Sequence, residues 1–244
     1  MDGKERLESG SGEAVVRTNA MRLILDGAAD GPTNMAADEL LLDSAANGQL
    51  SLRTYRWRPA TLSLGYFQPA AERLKTPAWR NLPFVRRSTG GGAIFHDEKE
   101  VTYAIALPPA VTQQQGHAEW HCLFHRLMVG MLRERGLEAA VVDGRRPMPG
   151  ELDFLCFTVP QPGDVVLQGR KIIGGAQRLR GGALLQHGSI LPPAAGIIEG
   201  ELPRALARHF GVPLQESTFT HEERQRIETL VKEKYGSDSW NLKR

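Results

Sequence analysis

Apolar positions recur along this chain with two periods, and the switches between them mark the elements. Residues 21–26, Met-Arg-Leu-Ile-Leu-Asp, read as a strand closed by Gly27. Gly31-Pro32-Thr33-Asn34 then breaks the chain and opens a helix over residues 35–46, with Thr33 or Asn34 as N-cap and Gly48 beyond its end. Asp38 and Glu39 fall in its early turns, where the helix dipole favours anions. Residues 51–57 alternate Leu52, Thr54 and Arg56 against Arg53, Tyr55 and Trp57, a strand pattern. Residues 61–66 give another strand after Pro59, and the two are expected to pair. Residues 69–83 read as irregular with a short helix, and residues 101–107 as a strand stopped by Pro108-Pro109.

The clearest helix covers residues 118–135, with Trp120, Leu123, Phe124, Leu127, Met128 and Met131 at helical spacing and Gly136 as its stop. Residues 141–154 look like a loop rich in Gly, Pro and Arg. Residues 164–167, 171–176 and 183–191 read as strands joined by tight glycine turns, and residues 201–210 and 221–235 as helices. Strands in hairpins interspersed with helices predict an α+β fold, a mixed, largely antiparallel sheet packed with helices.

Composition narrows the class. The 244 residues suit one domain over residues 21–244 behind a mobile tail, residues 1–20. A hydrophobic share of 41% with 24% charged residues is that of an ordinary soluble globule. A net charge of +2 argues against a general nucleic-acid binder. Two cysteines, Cys122 and Cys156, fit a reducing cytoplasm better than a disulfide framework. Neither a signal-like segment nor an apolar run of membrane-spanning length occurs, so no membrane partner is expected.

Candidate chemistry gathers around Arg86-Arg87-Ser88-Thr89-Gly90-Gly91-Gly92-Ala93-Ile94-Phe95-His96-Asp97. Three consecutive glycines are costly to order and pack nothing. They mark either a flexible turn or a backbone against which a ligand lies. No Gly-Lys-Ser/Thr follows, so this is not a P-loop, and a strand pattern rather than a helix comes next, so it is not a dinucleotide fingerprint. Cys156, between Leu155 and Phe157, reads as a buried small hydrophobe or as a nucleophile. An ammonium from Lys171 would favour its thiolate if the sheet brings the two together. A thiolate could accept an acyl group and split one transfer into two steps. Lys171, flanked by Gly169 and by Gly174-Gly175, is a solvated strand lysine or one that reaches into a site. Cys122 reads as core. His117, His121 and His125 recur every four residues on one helix; a solvated polar face is the better reading than a zinc site, and no metal is expected. His187 is a turn-edge residue or a polar group at a site edge.

As a set, these stretches resemble the lipoate/octanoate protein transferase and ligase family, related in fold to biotin protein ligases. The motifs are Asn34-Met35-Ala36-Ala37-Asp38, residues 52–57 and 63–68, the glycine loop with His96-Asp97 and Thr102-Tyr103, residues 171–177, and residues 186–191. The resemblance implies that Arg86, Ser88, Thr89, Gly90, Gly91 and Gly92 line an acyl tunnel, continued by Ala93 and His96. Gly174, Gly175 and Ala176 would form the facing wall, with His187 at the edge. Lys171 would touch the acyl carbonyl, and Cys156 stands where cysteine-dependent members carry their nucleophile. That favours a protein octanoyltransferase without a cofactor, which moves octanoate from acyl carrier protein to a lysine of a lipoyl carrier domain, in a glycine cleavage H protein or a 2-oxoacid dehydrogenase E2. The alternatives are an ATP- and magnesium-dependent lipoate–protein ligase, an amidotransferase between carrier domains, and a non-catalytic binding module. The family's usual Gly-Ser-Ala is Gly174-Gly175-Ala176 here. Arg86, Arg87 and Gly144-Arg145-Arg146 are candidate cations for attracting acidic carriers.

Overall fold

Every side chain of β6 (Val101–Leu107) is buried, and a strand without a polar face needs cover on both sides. In the computed structural model, which describes residues 19–144, 154–155 and 157–244, helices supply that cover. The remaining strands of the large sheet are β1 (Met21–Ala29), β2 (Leu50–Trp57), β7 (Ala139–Val141), β8 (Val165–Leu167), β9 (Arg170–Arg180), β10 (Ala183–Ile190) and β11 (Leu214–Glu216). They lie in the order β11-β1-β2-β6-β10-β9-β8-β7. The β1 strand is parallel to β2 and β11; the other pairs are antiparallel. A smaller sheet holds β3 (Thr61–Leu64) between β4 (Phe84–Arg86) and β5 (Ile94–His96). Along the chain the helices are α1 (Gly31–Ala46), α2 (Pro109–Thr112), α3 (His117–Glu134), α4 (Ala194–Phe210), α5 (His221–Leu230) and α6 (Asp238–Asn241). This is the mixed α+β class the hairpin-and-helix pattern implies.

Period-two alternation along β6 divides the interior. Tyr103, Ile105 and Leu107 join the cluster under α3 and α4, whereas Ala104 and Ala106 join the one under α1 and α5. A third, small cluster of Leu62, Leu64, Ala70 and Ala93 lies under the three-stranded sheet. Among the described residues, no helix is long and apolar enough to cross a membrane. The expected tail lies outside the described residues as far as residue 18, as do Arg145, Arg146 and Cys156.

Several local expectations are corrected. The β2 and β3 strands do not pair: β2 is held between β1 and β6, and β3 opens the smaller sheet. Seven of the eight β2 residues are buried, so both its edges go to long-range partners. The link Arg58-Pro59-Ala60 lacks the Gly or Asn that a tight hairpin turn needs. The N-cap of α1 is Asp30, whose side chain accepts from Thr33 N, with Pro32 in the first turn. Asn34 is instead buried and donates to the carbonyls of Ala29 and Arg56. Helix α4 begins at Ala194, ahead of the expected 201, and carries Pro203 inside it. Helix α5 ends at Leu230, and a π turn, Val231–Tyr235, continues it.

Candidate active site

The site is built on the α1 face of the large sheet. Register places Tyr55, Thr102, Ser189 and Gly174 in one cross-strand row and Arg53, Ala104, His187 and Ala176 in the next. Gly174, Ala176 and Arg178 therefore share a face of β9. Lys171 would point away from that face by simple alternation. A bulge opposite Val165 and Val166 leaves Ile172 unpaired, and this re-aims the lysine. Its tip now fills the space where a side chain at Gly174 would stand, next to the Phe157 ring. Any side chain there would have to displace the lysine tip.

Lys171 Nζ lies 2.8 Å from Asp164 Oδ2, with both side chains almost wholly buried. The same ammonium is 4.4 Å from the Phe157 ring centroid. Reading the sequence missed Asp164 as a partner. Its signal is the short β8–β9 hairpin, whose register sets Val166 opposite Lys171 and Val165 opposite Ile173 and so keeps Asp164 beside that stretch of β9. Leu155 and Phe157 flank Cys156, which itself lies outside the described residues. Ala93 N donates to Phe154 O at 2.6 Å, and Ala93 bridges to Leu155. Gln68 Nε2 adds a second donor to Phe154 O. The glycine loop and the stretch beside Cys156 are thus stitched together.

The loop itself is held by a buried cation and a buried imidazole. Arg87 donates to the carbonyls of Gly90 and Gly92, both at 2.7 Å, and to Ser63 O at 3.0 Å. Gly91 takes a φ of +91°, which side chains resist. Thr89 Oγ1 meets His187 Nε2 at 2.7 Å, and His187 Nδ1 meets Asp38 Oδ2 at 2.8 Å. A carboxylate only accepts, so Nδ1 carries a proton toward Asp38. Tyr55 and Arg53 also donate to Asp38. Burial, then the Asp38 charge, push the Tyr55 phenol well above its usual range. His187 is therefore a mid-strand, buried residue rather than a turn-edge one.

Beside this network is a tight slot of about 20 Å³. Met35, Tyr55, Trp57, Ile94 and Ala176 give it apolar walls, and His96, His187, Ser63 and Arg87 also face it. His96 stacks on Trp57 at 3.8 Å and contacts Ser63 Oγ at 2.8 Å and Glu100 Oε1 at 2.5 Å. Ser88, Thr89, Gly90, Gly91, Gly92, Ala93, Gly174 and Gly175 are not among the lining residues, and neither is Arg86. Its guanidinium donates to the carbonyls of Gly65, Tyr66 and Gln68 and to Asn241 O. Arg86 and Arg87 are both buried, which corrects their reading as surface cations. Loop carbonyls taken out of water need donors, and a guanidinium offers five.

The histidines of α3 do not form a solvated face. His117 is exposed, but His121 and His125 are buried. His125 contacts Tyr103 Oη at 3.0 Å and Gly163 O at 2.5 Å. Gly163 precedes Asp164, so this histidine anchors the segment that meets Lys171. A Cβ at Gly175 would sit 2.8 Å from Tyr103 Oη and 3.3 Å from His125 Nε2, so these two groups occupy the space of the serine seen in the family motif. Among the described residues no cluster of three His, Cys, Asp or Glu is placed to hold a metal.

Comparison with known proteins identifies the family and the fold. Residues 30–194 match the lipoyl protein ligase A/B catalytic domain model. Octanoyltransferase LipM of Kyrpidia tusciae is 30% identical, over 91% of this chain and 98% of that protein. The LipM of Geobacillus kaustophilus is 32% identical over the same shares. Among solved structures, a lipoate-protein ligase A bound with ATP superposes with a TM-score of 0.74 at 23% identity, covering 91% of this chain and 98% of the other. The Thermoplasma acidophilum protein Ta0514 with bound lipoic acid gives 0.71 at 24%, covering 92% and 100%. At such identities the structural likeness speaks to the fold.

Proposed function

Because the chain belongs to the lipoyl protein ligase A/B catalytic domain family, we propose that it is a protein octanoyltransferase of lipoate biosynthesis, an acyltransferase like its LipM relatives. Octanoate arrives as the thioester of acyl carrier protein and leaves as an amide on a lysine of a lipoyl carrier domain. No ATP enters the cycle. Cys156 is the nucleophile: its thiolate attacks the thioester carbonyl, a new C–S bond forms, and the carrier's thiolate departs and takes up a proton. The ε-amine of the acceptor lysine then attacks the acyl-cysteine. The acceptor ammonium first loses a proton to water; then the C–N bond forms, the Cys156 C–S bond breaks, and the nitrogen's second proton passes to the departing Cys156 thiolate.

The observation that carries this reading is the buried Lys171 ammonium, 2.8 Å from Asp164 and against the ring of Phe157, the residue next to Cys156. A fixed cation there favours the thiolate and the oxyanion that follows. The walls of the slot, Met35, Trp57 and Ile94, are apolar as a hydrocarbon chain requires, each buried methylene contributing about 0.8 kcal/mol, and the slot widens to admit eight carbons.

Intact-mass analysis tests it. Mixing the protein with octanoyl-acyl carrier protein should add one octanoyl group, and Cys156→Ala should abolish the adduct. Octanoylation that needs ATP and survives Cys156→Ser would overturn the thioester route in favour of a ligase.

A further inference from the structure

Beside the glycine loop, an exposed aromatic ring lies within a set of cations that have no acidic partner. Phe67 is 65% exposed, and its ring sits 3.9 Å from where a side chain at Gly90 would begin. Lys243 Nζ lies 3.7 Å from the Tyr66 ring centroid and 3.3 Å from that of Trp240. The Arg244 guanidinium is 5.1 Å from Tyr66 and 5.3 Å from Phe67. Arg178, on the same β9 face as Gly174 and Ala176, approaches Tyr66 at 5.7 Å and reaches Ser88 O. Among the described residues, none of these three cations forms an ion pair.

The cluster is held in place. Trp240 Nε1 donates to Arg86 O at 2.8 Å, Asn241 Oδ1 accepts from Arg86 N at 2.8 Å, and Ala70 N donates to Arg244 O at 2.8 Å. Burial, reinforced by the charges of Arg86 and Arg244, holds Lys243 below the usual lysine range. Hydrogen bonds from Lys243 and Arg244 pull the Tyr66 phenol below its usual range. Three cations grouped around two rings, none of them ion-paired to a described side-chain carboxylate, make a positive field beside the glycine loop.

We propose that Arg178, Lys243 and Arg244, around Tyr66 and Phe67, form the docking face for the carboxylate-rich surface of the protein that delivers the octanoyl thioester. Charge complementarity speeds encounter and fixes register, and Phe67 supplies the apolar anchor such faces carry at their centre. The donor is the partner that fits. Its reacting group is an uncharged thioester, whereas the acceptor presents an ammonium, which these cations repel. The assignment rests on the octanoyltransferase reading, since it is that reaction which requires a protein-borne donor.

The test is fluorescence anisotropy of labelled octanoyl-acyl carrier protein titrated with the full chain. Binding should weaken as salt is raised, and Lys243→Glu combined with Arg244→Glu, or Arg178→Glu alone, should raise Kd by about tenfold or more. Arg226→Glu, on the exposed face of α5, serves as the control and should leave Kd in place. Melting curves confirm that each variant is folded. A Kd indifferent to salt and to both reversals overturns the proposal. So does a reversal that weakens binding of the lipoyl acceptor domain alone. Intact carrier binding without any acyl-enzyme would sink the transferase reading and leave the docking face standing.

Discussion

A single missing side chain separates this chain from the motif it resembles. Where the family carries serine, Gly175 faces Tyr103 and His125. The phenol, buried and pushed far above its usual range by that burial, accepts from Gln186 and donates to His125. Gly175→Ser would place a Cβ 2.8 Å from Tyr103 Oη, and overpacking of this kind costs about 1–3 kcal/mol. For a chain of this length each kcal/mol lowers Tm by roughly 2–4 °C. Adding Tyr103→Phe removes the clashing oxygen and should recover part of the loss. A thermal melt of the two variants checks this, and an unchanged Tm for the single variant would contradict it. His187 gives a second lesson at this scale. Its identity and its place in a motif were legible in the sequence. Its partners were not, because Asp38 lies 149 residues away and only register brings them together.

At the scale of elements, local pattern was a good guide wherever one face meets one core. Helix α3 begins and ends within one residue of the expected 118–135, and β10 spans nearly the expected 183–191. Pattern failed where an element is covered from more than one side. His121 and His125 flank the stripe of α3 and look solvated from periodicity, yet both are buried, and the segment holding Gly163 meets His125. Helix α1 shows the same effect, because eleven of its sixteen residues are buried, charged ones included. Glu39, read as an anion near a helix start, instead accepts from Lys234 and Tyr235 and so ties α1 to the π turn after α5. Burial alone would raise its pKa, but the hydrogen bonds from Lys234 and Tyr235 outweigh it and leave the carboxyl below 4.5. A lowered folded-state pKa gives stability that is fully present above 4.5 and is lost as pH falls through the folded value. Urea unfolding of the protein and of Glu39→Gln should therefore differ by a constant amount above about pH 5. That difference should shrink on acidification below 4.5. A gap that widens toward acid would reverse the sign and refute the assignment.

Across the whole molecule, the smaller sheet, the glycine loop and the segment after α5 depend on one cation. Arg86 donates to carbonyls of residues 65, 66 and 68, and through its side chain and amide it also grips Asn241. Tyr66 N in turn donates to Thr89 O, so the clamp reaches the loop that borders the slot. A fully buried arginine with no carboxylate partner among the described residues is otherwise costly; here several carbonyls at once make it tenable. Lysine cannot reproduce a planar fork of five donors. Arg86→Lys keeps the charge and leaves some of these carbonyls unpaired, each at about 1–3 kcal/mol. The loss should be regional, since the core under α3 and α4 shares no residue with the clamp. Hydrogen exchange should quicken in residues 65–68, 89–92 and 237–244, while α3 and α4 keep their protection. Octanoyl transfer should fall with it, because the glycine loop and the cationic rim around Tyr66 loosen together. If exchange instead quickens evenly through both sheets, Arg86 supports global stability alone and the coupling between rim and loop runs through other contacts.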